Sequence, residues 1–383
     1  MMPERADALG LCRAEIRSLP AYHAGISEST ARARYGLTRV TKLSSNENPL
    51  GPSPDVAEQL RNCISGIFRY PDPHCAELRE EIQRRTGVEG SRIVLGNGSE
   101  DIIEMLCKAF LAPGDRVLTL APSFGLHEIF PLMMGATVDK VAVSPNFDFD
   151  LCAWAEALRR PAKLLMFSTP SNPVGCVLSD YGLRTLIAAS PPDVVLVIDE
   201  AYHEYAVGPG YADSLTALAG QRRPWIVLRT LSKAYGLAGL RVGYGLASDQ
   251  GLVSLLEKVR TPFNVNHAAQ VAAVAALRDG DHMRAVVSAT VRERQSLIAR
   301  LRELESTGGY GLKVAPSFGN FLFIDTRRPS REIATALMSK GVIVKPWLDT
   351  GYETFIRVTI GRSAENEHFM EALTAALTPA EVA

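Results

Sequence analysis

At 383 residues the chain is too long for one typical hydrophobic core, so two domains are expected. Hydrophobic residues make up 46%, charged residues 22%, and the formal net charge is −1, a balance that excludes a basic nucleic-acid surface and a charged disordered tail. Six scattered cysteines with no CxxC pair, a polar N-terminus (MMPERADALGLCRAEIRSLP) and no long apolar run predict a soluble cytoplasmic protein with buried thiols and no membrane span.

Taken in chain order, residues 1–47 read as an arm, ending in the turn-rich KLSSNENPLGPSP and crossing to a smaller domain or to a partner. Residues 48–270 alternate apolar runs with helical segments: RIVLGNG, DRVLTLAP, KLLMFSTP, VVLVIDEAY and WIVLRTLS. Such nearly continuous β-rich runs fit strands buried on both faces. Between them SEDIIEMLCKAFLAPG has helical spacing, with Ser99 as the expected N-cap and Gly114 closing the unit. The predicted fold class is therefore α/β, a mostly parallel central sheet flanked by helices. WIVLRTLS and RVGYGLAS lie too close for a crossover helix, which predicts one antiparallel strand. Residues 271–383 read as a smaller α+β domain. An Ala-rich helical stretch from about Val265 to Leu304 leads to strands in GLKVAPSFGNFLFIDT, GVIVKPW and FIRVTIG, and SAENEHFMEALTAALT closes the chain as a helix.

Open α/β sheets bind ligands beyond the carboxyl ends of their strands. The residues at those ends are Gly98-Ser99, Phe124, Asn172, Asp199 with Tyr202, and Thr230, Ser232 and Lys233. Each alone has a plain structural explanation. GNGSE alone reads best as a strand-to-helix turn, and it is no dinucleotide fingerprint, because Asp101 stands where the third glycine belongs. Phe124 alone reads as core, Asn172 before Pro173 as a turn initiator, and Lys233 as a solvated lysine. Asp199 resists such a reading: after five apolar residues, an acid is costly to desolvate unless it meets a donor or cation. Together these strand ends supply an anion cradle, an aromatic face, an amide, a carboxylate, a phenol, hydroxyls and an amine. The seven histidines show no metal-ligand spacing, so no metal is expected, and no GxSxG elbow is present.

TLSKAYGLAGLRVGY resembles the cofactor-lysine segment of fold-type I pyridoxal-phosphate aminotransferases, STPSNPVG their Asn-Pro-x-Gly turn, and VIDEAYHEY their Asp-x-x-Tyr segment. KLSSNENPLGPSP, YPDP and GNGSEDII resemble more narrowly the histidinol-phosphate branch, in collinear order from about Ala21 to the last helix. The resemblance implies a large pyridoxal-phosphate domain plus a smaller α+β domain. It implies that Lys233 attaches the cofactor covalently and carries protons. Asp199 would pair with the pyridine nitrogen, Tyr202 and Asn172 would bond the ring oxygen, and Phe124 would stack on the ring. Around the phosphate it places Gly98, Ser99, Glu100, Thr230, Ser232 and Arg241, with Tyr70 reaching across a homodimer whose sites are shared. Around the substrate it places Tyr22, Asn48, Lys345, Trp347 and Arg357. The implied reaction moves an amino group between L-histidinol phosphate and 2-oxoglutarate, yielding imidazole acetol phosphate and L-glutamate. Three positions depart from the branch pattern: Lys345 stands for an arginine, Phe124 for a tyrosine and Arg362 for a small residue. They leave an aromatic or specialised keto acid as a rival substrate. A decarboxylase or lyase of the same fold, or a non-enzymatic binding protein, stand as further alternatives.

Overall fold

The computed structural model describes residues 8–22, 25–208 and 210–378. Its strands in chain order are β1 (Thr41–Lys42), β2 (Ile93–Gly96), β3 (Arg116–Ala121), β4 (Thr137–Ala142), β5 (Leu164–Ser168), β6 (Val195–Asp199), β7 (Trp225–Thr230), β8 (Gly243–Ala247), β9 (Lys313–Val314), β10 (Phe321–Asp325), β11 (Val342–Ile343), β12 (Lys345–Pro346) and β13 (Phe355–Thr359).

Strands β2 to β8 form one seven-stranded sheet in the order β2-β8-β7-β6-β5-β3-β4. The expected antiparallel strand is β8, which runs against both β7 and β2, while the other pairings are parallel. Burial on both faces explains the unbroken apolar runs, and alternate residues serve opposite layers. Val94, Met166, Val197 and Ile226 pack under the helices Ser99–Phe110 and Gln250–Val259. Leu95, Leu165, Leu196 and Val227 pack on the other side with Trp154, Leu183 and Leu186. Edge strand β4 was not foreseen: Val141 alone of its six residues is buried, so TVDKVA lacks the apolar signal of its neighbours.

The chain leaves β3 outward to β4 and then returns through β5, β6 and β7 on the other side. That reversal puts the crevice at the carboxyl ends of β3 and β5. The expected N-cap at Ser99 moves by one. Gly98 takes the cap with φ 83° and ψ 165°, and Ser99 is the first helical residue. The Asp101 carboxylate closes this turn by accepting from Asn97 N–H at 2.8 Å.

A second sheet, β12-β13-β10-β9, is antiparallel throughout. Leu322, Ile324, Ile356 and Val358 bury one of its faces against the helices Ser330–Ser339 and Ser363–Leu377 through Leu337, Phe369 and Leu373. Truncating Phe369, fully buried there, would cost about 3–5 kcal/mol. The N-terminal arm joins this unit where β1 pairs in parallel with β11. Helix His267–Arg278 packs on Pro54–Cys63 and Ala76–Thr86, and the 29-residue helix Gly280–Gly308 then leads into the second sheet.

Candidate active site

A cleft of about 460 Å³ opens at the carboxyl ends of the central strands. Its wall includes Ser123 and Phe124 after β3, Ser168 at the end of β5 and Asn172 beyond it, Asp199 at the end of β6 with Ala201 and Tyr202 beyond, and Thr230 at the end of β7 with Ser232 and Lys233 beyond. The arm contributes Tyr22 and residues 44–47, and the second sheet contributes Lys345, Trp347 and Arg357.

Lys233 donates from Nζ to the Ser45 carbonyl at 3.0 Å, with its ammonium 5.9 Å from the Tyr202 ring centroid. Burial, seconded by the nearby Arg357 charge, pulls its amine down to about 8. About a tenth is then neutral at pH 7, hundreds of times the neutral fraction of an ordinary lysine, as a nucleophilic amine requires.

Asp199 Oδ1 accepts from Ala201 N–H at 3.0 Å, and Oδ2 meets His127 Nε2 at 3.2 Å. With a carboxylate as acceptor, Nε2 carries the proton, and Nδ1 faces Ser123 Oγ at 3.1 Å. His127 is fully buried on the helix Leu126–Met133. The sequence reading missed it, because nothing local marks a histidine in the first turn of this helix as the partner of Asp199.

Arg357 is buried on β13. It donates from Nη1 to Asn172 Oδ1 and from Nη2 to the Ser44 carbonyl, both at 2.6 Å. Burial holds this guanidinium below its usual value. Lys345 is its direct cross-strand partner, so both side chains stand on one face of the sheet. Burial, followed by the Arg357 charge, also lowers the Lys345 amine. Trp347 is buried and sets its ring edge-on to Phe323 at 5.8 Å. Tyr22 approaches Phe124 edge-on at 6.3 Å.

At the other end of the cleft Arg241 Nη2 donates to Glu100 Oε1 at 2.9 Å, and Nη1 to Ser232 Oγ at 3.4 Å and the Ala238 carbonyl at 3.0 Å. Thr230 Oγ1 donates to Ser232 Oγ at 3.0 Å. The guanidinium lies so close to the Gly98 turn that a Cβ on Gly98 would stand 2.5 Å from Nη2. Gly98 itself is absent from the cleft wall and contributes by leaving this space, whereas Ser99 and Glu100 line it.

Two expected residues lie elsewhere. Asn48 does not face the cleft: its amide donates to the Gly51 and Ala234 carbonyls, and its Oδ1 accepts from Leu50 N–H, so it braces a turn. Asn46 takes the inner place, donating from Nδ2 to the Tyr202 hydroxyl at 2.8 Å. Tyr70 is 82% exposed, stacked on Phe263 at 4.5 Å, outside the cleft of its own chain.

The donor set suits a phosphorylated pyridine. A guanidinium, two hydroxyls and a helix N-terminus converge at one end, and a carboxylate braced by an imidazole lies at the other. Three residues of the cleft wall hold buried polar atoms, Ser44 Oγ, Thr119 Oγ1 and Arg357 Nε, with no hydrogen-bond partner among the described residues. Residues 38–373 match the family described as aminotransferase class I and II. The chain belongs to that family.

It is thus a pyridoxal-phosphate-dependent aminotransferase of fold-type I. Histidinol-phosphate aminotransferase 1 of Mesorhizobium japonicum is 45% identical over 369 residues, 96% of this chain and 99% of that protein. The Bacillus subtilis histidinol-phosphate aminotransferase is 36% identical, covering 94% and 97%. The crystal structure of histidinol-phosphate aminotransferase from Sinorhizobium meliloti in complex with pyridoxal-5'-phosphate superposes with a TM-score of 0.85, at 26% identity, over 95% of this chain and 96% of that one. Among the described residues no helix of this aminotransferase is long and apolar enough to cross a membrane.

Proposed function

We propose that this aminotransferase moves an amino group between L-histidinol phosphate and 2-oxoglutarate. The observation that carries the substrate assignment is the cross-strand pair Lys345–Arg357 on the cleft wall. A guanidinium and an ammonium side by side on the cleft wall offer charge-assisted bonds to a phosphate dianion or a carboxylate. L-Histidinol phosphate carries a phosphate and 2-oxoglutarate two carboxylates, so each substrate brings such a group, and the relatives' names point the same way.

Pyridoxal phosphate, when bound, supplies the electron sink that makes the substrate Cα–H acidic. The remaining roles fall to the chain. Arg241, Ser232, Thr230 and the Ser99–Glu100 turn hold the phosphate, and Asp199, kept in place by His127, meets the ring nitrogen. Phe124 covers the ring. Tyr202 and Asn172 face its oxygen, and Asn172 ties that position to Arg357. Lys233, whose amine is lowered to about 8, is the residue that would hold the cofactor and would carry the proton at the substrate carbon. Tyr22 and Trp347 wall the substrate's ring.

Tyr70 points to a homodimer in which it serves the partner's phosphate site. Its stacked pair with Phe263 is flanked by exposed Ile64, Ile67 and Phe68, an apolar patch of the kind that second copies cover. Sedimentation should give twice the 41.6 kDa chain mass. Six free cysteines fit a reducing cytoplasm.

Glutamate-dependent turnover of imidazole acetol phosphate by the purified holoenzyme tests the assignment; no turnover refutes it. A second reading, an aromatic keto acid, is favoured by the Tyr22, Phe124 and Trp347 wall. It predicts a higher kcat/KM in a keto-acid panel for an aromatic acceptor than for the phosphate ester.

A further inference from the structure

Asn46 is wholly buried with φ 54°, a left-handed backbone that Asn, Asp and Gly tolerate. Its own backbone is anchored at both ends: N–H donates to Thr359 Oγ1 at 2.9 Å, and C=O accepts from Asn320 Nδ2 at 2.9 Å. Its side chain spans from Thr359 Oγ1, 3.2 Å from Oδ1, to the Tyr202 hydroxyl, 2.8 Å from Nδ2.

These contacts set the direction of every proton. Thr359 Oγ1 accepts from the Asn46 backbone, so its one hydroxyl proton is directed at Asn46 Oδ1. Flipping the amide would leave that proton without an acceptor in a site only 4% exposed, which an unmade buried hydrogen bond makes unfavourable. Nδ2 is therefore the end that faces Tyr202, and it can only donate. The phenol oxygen accepts, and its single proton is left for an acceptor on the cleft side, where Tyr202 lines the wall beside Asp199 and Lys233.

We propose that Asn46 is a positioning residue that forces Tyr202 to act as a hydrogen-bond donor toward the cofactor ring oxygen, an inference that rests on the cofactor role of Tyr202 given above. Donation to an anionic ring oxygen stabilises the deprotonated form of the lysine–cofactor linkage and lowers its pKa. A donor behind the phenol strengthens that bond through the chain of hydrogen bonds. The carboxylate introduced by Asn46→Asp would do the opposite, taking the phenol's proton for itself.

The test is a pH titration of the visible absorbance band of the holoenzyme, for wild type, Tyr202→Phe, Asn46→Asp, Asn46→Gly and the Asn46→Asp/Tyr202→Phe double variant. Both single changes at residue 46 suit the left-handed backbone, so neither adds backbone strain. Tyr202→Phe should raise the midpoint. Asn46→Asp should raise it by about one pH unit, tenfold in proton affinity, and Asn46→Gly by less. Where Tyr202→Phe has already removed the phenol hydroxyl, adding Asn46→Asp should raise the midpoint by under about 0.3 unit more. An unshifted Tyr202→Phe overturns the Tyr202 role and this inference with it. A shifted Tyr202→Phe with unshifted Asn46→Asp overturns the inference alone. So does an Asn46→Asp shift that persists undiminished without the phenol, because a bare charge would then explain it.

Discussion

Lys233 is held as an amine in a place that disfavours its charge, and this should be measurable as stability. The perturbation is Lys233→Met, which keeps the length of the side chain and removes the ionisable end. In the folded apoprotein the amine titrates at about 8 instead of the ordinary 10.5. At about 1.4 kcal/mol per pH unit, that displacement makes the protonated lysine a destabilising element of roughly 3 kcal/mol. The bond to the Ser45 carbonyl returns about 1 kcal/mol in a direct comparison, leaving about 2 kcal/mol in favour of methionine at pH 7. Below pH 8 the lysine is protonated in both folded and unfolded chains, so the difference is constant. Between pH 8 and 10.5 the unfolded chain holds the proton and the folded chain has lost it, so wild-type stability rises with pH. Above 10.5 the ionisation contribution has vanished. Urea unfolding of the two apoproteins at pH 7, 8, 9 and 10 gives the comparison directly, since all other titrating groups are shared. A variant less stable than wild type at pH 7, or a difference that does not narrow between pH 8 and 10, would show that the cleft does not desolvate this amine.

The remaining predictions concern the two anion-binding ends of the cleft and the support of Asp199. Gly98→Ala meets a left-handed φ of 83° and places a Cβ 2.5 Å from Arg241 Nη2. It should weaken pyridoxal-phosphate binding at least about tenfold by equilibrium dialysis while the apoprotein remains folded. Lys345→Met removes one charge-assisted bond, about 1.5–3 kcal/mol, so KM for imidazole acetol phosphate should rise roughly ten- to a hundredfold. Lys345→Arg should restore it, and failure of the arginine to do so would remove the charge argument. His127→Phe deletes the donor at Asp199 Oδ2 and leaves a buried carboxylate with one bond fewer. Its kcat should fall by about tenfold or more, with KM for glutamate changed much less.

The residues that a sequence reading recovers best are those whose chemistry clashes with their immediate neighbours. Asp199 ends an apolar strand and is conspicuous without knowing what lies opposite, while Lys233, in a glycine-rich turn, gains its meaning from the other strand ends. Arg357 was legible for the same reason as Asp199, between Ile356 and Val358 on β13. The parallel sheet was legible because burial on both faces leaves unbroken apolar runs, and β4 was not, because an edge strand does not need them. The arm was misread by two residues for a physical cause. In an extended chain Asn46 and Asn48 would share a face. The left-handed backbone at Asn46 breaks that alternation, turning one amide into the protein toward Tyr202 and the other onto a local turn. His127 was hidden because its partner Asp199 lies 72 residues away, on a different strand. Both missed residues act through a residue already identified. Such supporting groups are ordinary polar residues whose meaning is set by a long-range contact, so they become visible only when the hydrogen bonds of the primary residues are followed outward. For this cleft that outward step leads from Tyr202 to Asn46 and on to Thr359 on β13, the strand that also carries Arg357. In the proposed assignment one strand thus carries both the residue that faces the substrate's anion, Arg357, and the residue that anchors Asn46 behind Tyr202, Thr359.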